Sequence, residues 1–173
     1  MTRDKPPESA VERLLHLLCD ISATIGGVIL VAMAAMTVVS VVGRAFFSHP
    51  ILGDVELVQL GCAVVVASFL PYTQFRHANI IVDFFTTGAS ARTQHLMDTL
   101  GTLLYTLVLA LVCWRVAVGG IDIKAAGESS MLMNLPLWIP YLLMVPGLAL
   151  SVLIGLHQTV TQWRSLPARG ALV

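Results

Sequence analysis

Apolar residues along this chain come in long blocks and do not alternate with polar ones. The first block, residues 21–42, has no charge and lies between Asp20 and Arg44. The second, 57–75, lies between Glu56 and Arg76. The third, 96–118, carries Asp98 and Arg115 only near its ends, where side chains can reach headgroups. The fourth, 135–156, is uncharged throughout. Each block approaches the roughly 20 residues a helix needs to cross the hydrocarbon core. In the first block, ten Ile, Val and Leu residues at about −0.3 to −0.6 kcal/mol each contribute roughly −3 to −6 kcal/mol toward insertion. Strands are excluded, because lipid requires each backbone polar group to be satisfied within the segment. The pattern predicts an all-α integral membrane fold of four transmembrane helices with short amphipathic interfacial segments.

The predicted organisation runs as follows. Residues 1–20 form a cytoplasmic amphipathic leader, 21–43 the first transmembrane helix, and 44–55 an outer loop. Residues 56–75 form the second helix, 76–90 a cytoplasmic interfacial segment, and 91–118 the third helix. Residues 119–134 form a second outer loop, 135–157 the fourth helix, and 158–173 a cytoplasmic tail. Residues 11–19 of the leader, Val-Glu-Arg-Leu-Leu-His-Leu-Leu-Cys, read as an amphipathic helix lying on the membrane surface. Ala32-Met33-Ala34 imitates a signal-peptide cleavage site, but the apolar stretch is too long for a signal core and continues to Val42. The block is therefore expected to stay in place as a span.

Within the connections, Gly53 and Asp54 mark a turn before the second helix, whose first turn holds Asp54 and Glu56 where the helix dipole favours anions. Arg44 closes the first helix, where the dipole favours a cation. Arg44 and Glu56 then share one membrane face, and either pair or stand as separate boundary charges. Residues 76–85 are too apolar for an ordinary loop and are expected in the interface plane, with Ser90 capping the third helix. Gly119-Gly120 is expected to end that helix. Asn134 is expected to cap the fourth helix, with Pro136 in its first turn and Pro146 kinking it.

Composition agrees with the pattern. Of 173 residues, 57% are hydrophobic and 12% charged, about half the charge of a soluble domain, and the mean hydropathy is +0.84. A formal net charge of zero argues against nucleic acid as a partner. With the N-terminus inside, seven of the ten Lys and Arg residues fall on the cytoplasmic side, so both termini are expected there. Tyr72, Trp114, Trp138, Tyr141 and Trp163 fall near span ends, as an aromatic belt would. Small residues, among them Gly26, Gly27, Ala32, Ala34, Ala35, Gly61, Ala63 and Ala67, allow close helix approach.

Chemistry is sparse. Cys19, Cys62 and Cys113 have no disulfide or zinc spacing, and neither a phosphate-binding loop nor a recognisable catalytic arrangement occurs. No catalytic, cofactor or metal residue is assigned. Asp, Glu, Lys, Arg and His are missing from the middle of every span, although ion pathways place such residues there. A self-contained pump is disfavoured, and a partner or scaffold in a larger membrane assembly fits better.

Val42-Gly43-Arg44, the acidic start of the second span at Glu56, and the run from His77 through Asn79 and Ile80 to Asp83 together resemble the small membrane subunit of TRAP (tripartite ATP-independent periplasmic) transporters, the DctQ type. Gly127-Glu128 and Leu135-Pro136-Leu137-Trp138 resemble that family's approach to its fourth helix. Residues 51–53, Ile-Leu-Gly, depart from it where many members have a Trp before the acidic residue. The resemblance covers about residues 14–163. It implies a non-enzymatic chain that works with a large TRAP membrane subunit and a periplasmic substrate-binding protein. It also implies sodium sites on the large subunit and none here, with an organic acid as substrate. Arg44, Glu56, His77, Asp83, Glu128, Pro136 and Trp138 are the structural and interface candidates. The alternative is a four-helix cytochrome b-like or quinone-linked anchor, with His16, His77, His95 and His157 on one side. Haem, however, needs a facing axial pair inside the bundle, and these histidines flank the spans. A stand-alone small exporter is a third reading.

Overall fold

The computed structural model describes residues 10–47, 51–76 and 91–169. Four helices account for nearly all of them: α1 (Ala10–Phe47), α2 (Asp54–Phe75), α3 (Ala91–Ala126) and α4 (Trp138–Arg169). Among the described residues, all four are long and apolar enough to cross a membrane. The interfacial segment expected at 76–90, with His77, Asp83 and the Ser90 cap, lies outside the described residues except for Arg76.

Several boundaries differ from the sequence expectation, among them the end of α4, which runs to Arg169 where a tail was expected from residue 158. The leader is not a separate surface helix but the first three turns of α1, a helix of 38 residues. Within it His16 pairs with Asp20 one turn on, Nδ1 to Oδ2 3.0 Å. Its buried side carries Leu15 and Cys19, four residues apart, packed with Ile154, Tyr72, Phe75 and Leu150. Gly119-Gly120 does not end α3. Gly120 stays helical where α4 passes close, so that a Cβ there would lie 3.1 Å from the Cβ of Tyr141. The helix runs on to Ala126 and stops at Gly127, whose φ of 67° is left-handed. The Gly127 N–H donates to the Lys124 carbonyl and the Glu128 N–H to the Ile123 carbonyl, the paired bonds of a Schellman stop. Asn134 does not cap α4, which begins at Trp138, and Pro136 lies ahead of the helix in an isolated bridge with Ser129.

The helices form a row in the order α1, α2, α4, α3, each packing on the next, with α1 touching α4 only slightly. The two inner helices are accordingly better covered than the two at the edges. Small residues make the α1–α2 seam. A Cβ on Gly26 would lie 3.0 Å from the Ser68 Cβ, and the Ser22 hydroxyl donates to the Ser68 carbonyl at 2.8 Å. Of the other small residues singled out, Gly61 meets Met33 and Gly27 meets nothing within 4 Å; Ala67 is buried, whereas Ala32, Ala34 and Ala35 are exposed.

The α2–α4 seam is closer. Pro71 sits inside α2 and has no N–H for the Ala67 carbonyl one turn back. Gly147 of α4 lies against that carbonyl: a Cβ on Gly147 would be 2.3 Å from the Ala67 oxygen and 2.8 Å from its carbon. Around this crossing Ala67, Leu109 and Leu148 form a buried cluster with Leu70, Tyr105 and Met144 against it. Toward the end of the molecule where α1 begins and α2 finishes, the Gln74 side chain donates to the Gln158 amide oxygen at 3.0 Å. Gln158 donates back to the Gln74 carbonyl at 2.8 Å. The reciprocal pair satisfies polar groups that lipid would not.

Candidate functional site

Polar side chains gather at the end of the molecule where α1 and α3 finish, with residues 51–53 leading into α2 and 127–137 joining α3 to α4. Two clusters form there, one for each carboxylate in the first turn of α2.

Asp54 holds the α1–α2 turn. Its Oδ2 accepts a 2.6 Å hydrogen bond from the Ser40 hydroxyl, and Ser40 is fully buried. The same hydroxyl accepts the Ile51 N–H at 3.3 Å. Arg44 reaches Asp54 at 3.5 Å, and not Glu56. The reason is register: Asp54 faces α1 at Ser40, whereas Glu56, two residues on, is turned about 200° around the helix toward the other connection. Arg44 is largely exposed, and exposed pairs contribute little, so the buried hydroxyl should matter more. Ser40→Ala is expected to lower the thermal unfolding midpoint of the purified chain clearly more than Arg44→Ala does. The reverse order in a melting series would make the ion pair the principal link.

Glu56 holds the α3–α4 connection. Residues 128–130 run antiparallel to 135–137: the Ser130 N–H donates to the Leu135 carbonyl at 2.8 Å, and the Leu137 N–H to the Glu128 carbonyl at 3.3 Å. The resulting short hairpin leaves α3 and α4 and lies across the start of α2. Its turn uses Asn134 at φ 54°, whose Oδ1 accepts the Ser129 hydroxyl at 2.5 Å. The Glu56 carboxylate clasps the apex. One oxygen accepts the Ser130 hydroxyl at 2.7 Å and the Met133 N–H at 3.3 Å; the other accepts the Leu132 N–H at 3.0 Å. Met133 packs on Gly53, whose φ is 78° and where a Cβ would come within 2.3 Å of the Met133 Cγ. At the hairpin's base the Lys124 ammonium sits 4.8 Å from the centre of the Trp138 ring, a cation–π contact.

Beneath the hairpin is an open cleft of about 480 Å³, lined by Glu56, Gln59, Leu60, Glu128, Ser130 and Leu137 among others. The structure thus brings Glu56, Glu128, Pro136 and Trp138 together around one hairpin and sets Arg44 apart with Asp54. Ser40 and Ser130 are the partners that sequence reasoning missed, and Gly53, read as a turn residue, proves also to be the seat of Met133. Ser130 lies 74 residues from Glu56, and nothing local marks it. Among the described residues, no group of three or more His, Cys, Asp or Glu side chains is placed to hold a metal ion. The arrangement presents hydrogen-bonding groups and an apolar apex on a fixed frame, which suits binding.

Comparison with protein families gives a match over residues 33–165 to the model described as Tripartite ATP-independent periplasmic transporters, DctQ component. Comparisons with curated proteins and with solved structures gave no match.

Proposed function

Because this chain belongs to the DctQ family, the DctQ component of tripartite ATP-independent periplasmic transporters, we propose that it is the static scaffold subunit of such a transporter. In this reading it lies in the bacterial inner membrane with both termini cytoplasmic. It supports a large membrane subunit that carries the substrate and sodium sites and that moves an organic acid by an elevator motion. Its hairpin end faces the periplasm and helps to dock the substrate-binding protein. The chain itself catalyses nothing and holds no sodium.

The open row of helices supports the scaffold role. Only 11% of the most apolar stretch of α1, and the same share of α3, is buried within the chain. Edge helices left this bare offer long apolar surface to another membrane chain. The Glu56-clasped hairpin supports the docking role, since a surface that receives a soluble protein repeatedly gains from being pre-ordered.

Reconstitution tests the reading. The chain alone in liposomes is expected to show no uptake of an organic acid under a sodium gradient. Adding the large subunit and the binding protein should produce sodium-dependent uptake. Robust uptake by this chain alone would overturn the scaffold role.

A further inference from the structure

The hairpin apex is unusually apolar for a connection between helices. Met131 is 98% exposed and Leu132 67%, and Leu52 on the neighbouring turn is 79% exposed. Their depth in the membrane follows from α2. That helix has 22 residues, about 33 Å at 1.5 Å per residue, against a hydrocarbon core of about 30 Å. Arg76 follows its last residue, and a guanidinium keeps that end at or outside the hydrocarbon edge. Tilting only shortens the reach of a helix across the bilayer. The first turn of α2 therefore lies within a few ångströms of the opposite hydrocarbon edge. The apex is tied to that turn by two backbone hydrogen bonds to Glu56 and by Met133 against Gly53, so it lies at the same depth. Lys124 over Trp138 is the pairing of cation and aromatic expected at such a boundary.

We propose that the apex, Met131 and Leu132, is a lipid anchor that dips into the acyl-chain boundary of the leaflet on the hairpin side, at a depth fixed by Glu56. The occupant is lipid because apolar side chains exposed at 98% and 67% at the hydrocarbon edge are most cheaply covered by acyl chains. A soluble protein approaches from beyond the headgroups. The proposal goes beyond the scaffold reading and rests only on the chain crossing a membrane. It sets the apex in lipid, although Met131 also lines the cleft, and leaves the Glu128 side of the hairpin turned to water.

Bimane attached at Met131→Cys tests it. Met131 is 98% exposed, so the change removes little buried surface, and Cys62→Ala with Cys113→Ala leaves only the buried Cys19. The full chain, alone and co-purified with the large subunit, is placed in phosphatidylcholine nanodiscs with and without lipid carrying a doxyl group high on the acyl chain. Doxyl lipid is expected to lower bimane emission at least about twofold in both samples, with iodide in the buffer acting weakly. Strong iodide quenching with no doxyl effect would put the apex in water and overturn the proposal. So would insensitivity to both quenchers, or a doxyl effect lost when the large subunit is present, because then protein covers the apex.

Discussion

Gly147→Val is expected to part α2 from α4. A Cβ on Gly147 would overlap the Ala67 carbonyl, 2.3 Å from its oxygen and 2.8 Å from its carbon. The obstacle is backbone, which no rotamer change can move aside. Overpacking a close contact costs about 1–3 kcal/mol, so Gly147→Ala should already lose that much, and valine more. The α2–α4 seam is the main join between the α1–α2 and α3–α4 pairs, with α1 meeting α4 only slightly, around Leu15, Cys19 and Ile154, so its loss should appear as separation of the pairs and not as melting of helices. Two readouts check this: the unfolding midpoint in a detergent titration, and a cysteine cross-link between positions 74 and 158, which should fall while helical circular dichroism holds. Gly27→Ala is the control. Nothing lies within 4 Å of a Cβ there, and alanine's helix propensity should leave stability unchanged or raise it by up to about 1 kcal/mol. Equal stability of the Gly147→Ala and Gly27→Ala chains would sink the account of this crossing.

Glu56→Ala should free the α3–α4 hairpin while leaving the helices in place. The substitution removes at once the acceptor for the Ser130 hydroxyl and for the Leu132 and Met133 N–H groups. Gln offers one carbonyl oxygen in place of two and turns an NH₂ toward a donor, so Glu56→Gln should fall between Ala and the native residue. Hydrogen exchange reads the effect directly. Protection at Leu132 and Met133 is expected to drop at least about tenfold, with amides in the middle of α2 and α4 unchanged. If the hairpin docks the binding protein, its recovery with the membrane complex should fall in the same order, Glu, Gln, Ala. Unchanged protection in Glu56→Ala would mean that the hairpin holds its own shape.

The spans were legible because blocks of 20 or so apolar residues have one physical solution in lipid. Their ends were less so. Glu12, Arg13, His16 and Asp20 give the leader a surface character, yet an i,i+4 pairing of His16 with Asp20 and the burial of Leu15 and Cys19 carry one helix through it. Gly119-Gly120 was misjudged because glycine serves two ends. It stops a helix only where the chain turns left-handed, as at Gly127, and elsewhere it admits a neighbour, as Gly120 admits Tyr141. Arg44 was expected to share a face with Glu56, and either to pair with it or to stand apart; it meets Asp54 instead. Which acid it meets depends on a two-residue register that spacing does not reveal. The row itself was not legible. Lipid tails and helix neighbours are equally apolar, so an apolar face does not say which of them covers it. Of the candidate residues, His77 and Asp83 lie outside the described residues.

The order of the row has a consequence for how the chain is made. Consecutive helices, α1 with α2 and α3 with α4, are spatial neighbours, so each pair can close as a hairpin soon after its second helix leaves the ribosome. The first pair is complete in its own contacts, Ser22 to Ser68 and Ser40 to Asp54, before any of α4 exists. What remains is a single docking step between two finished halves. The cross-half contacts, among them Gly147 on Ala67, Gln74 with Gln158, Leu15 and Cys19 on Ile154 and Glu56 on residues 130–133, belong to that step. Until it happens, the bare Ala67 carbonyl and the Glu56 carboxylate are the two sticky points of a half-built subunit, marking the stage at which insertion machinery would still have reason to hold it.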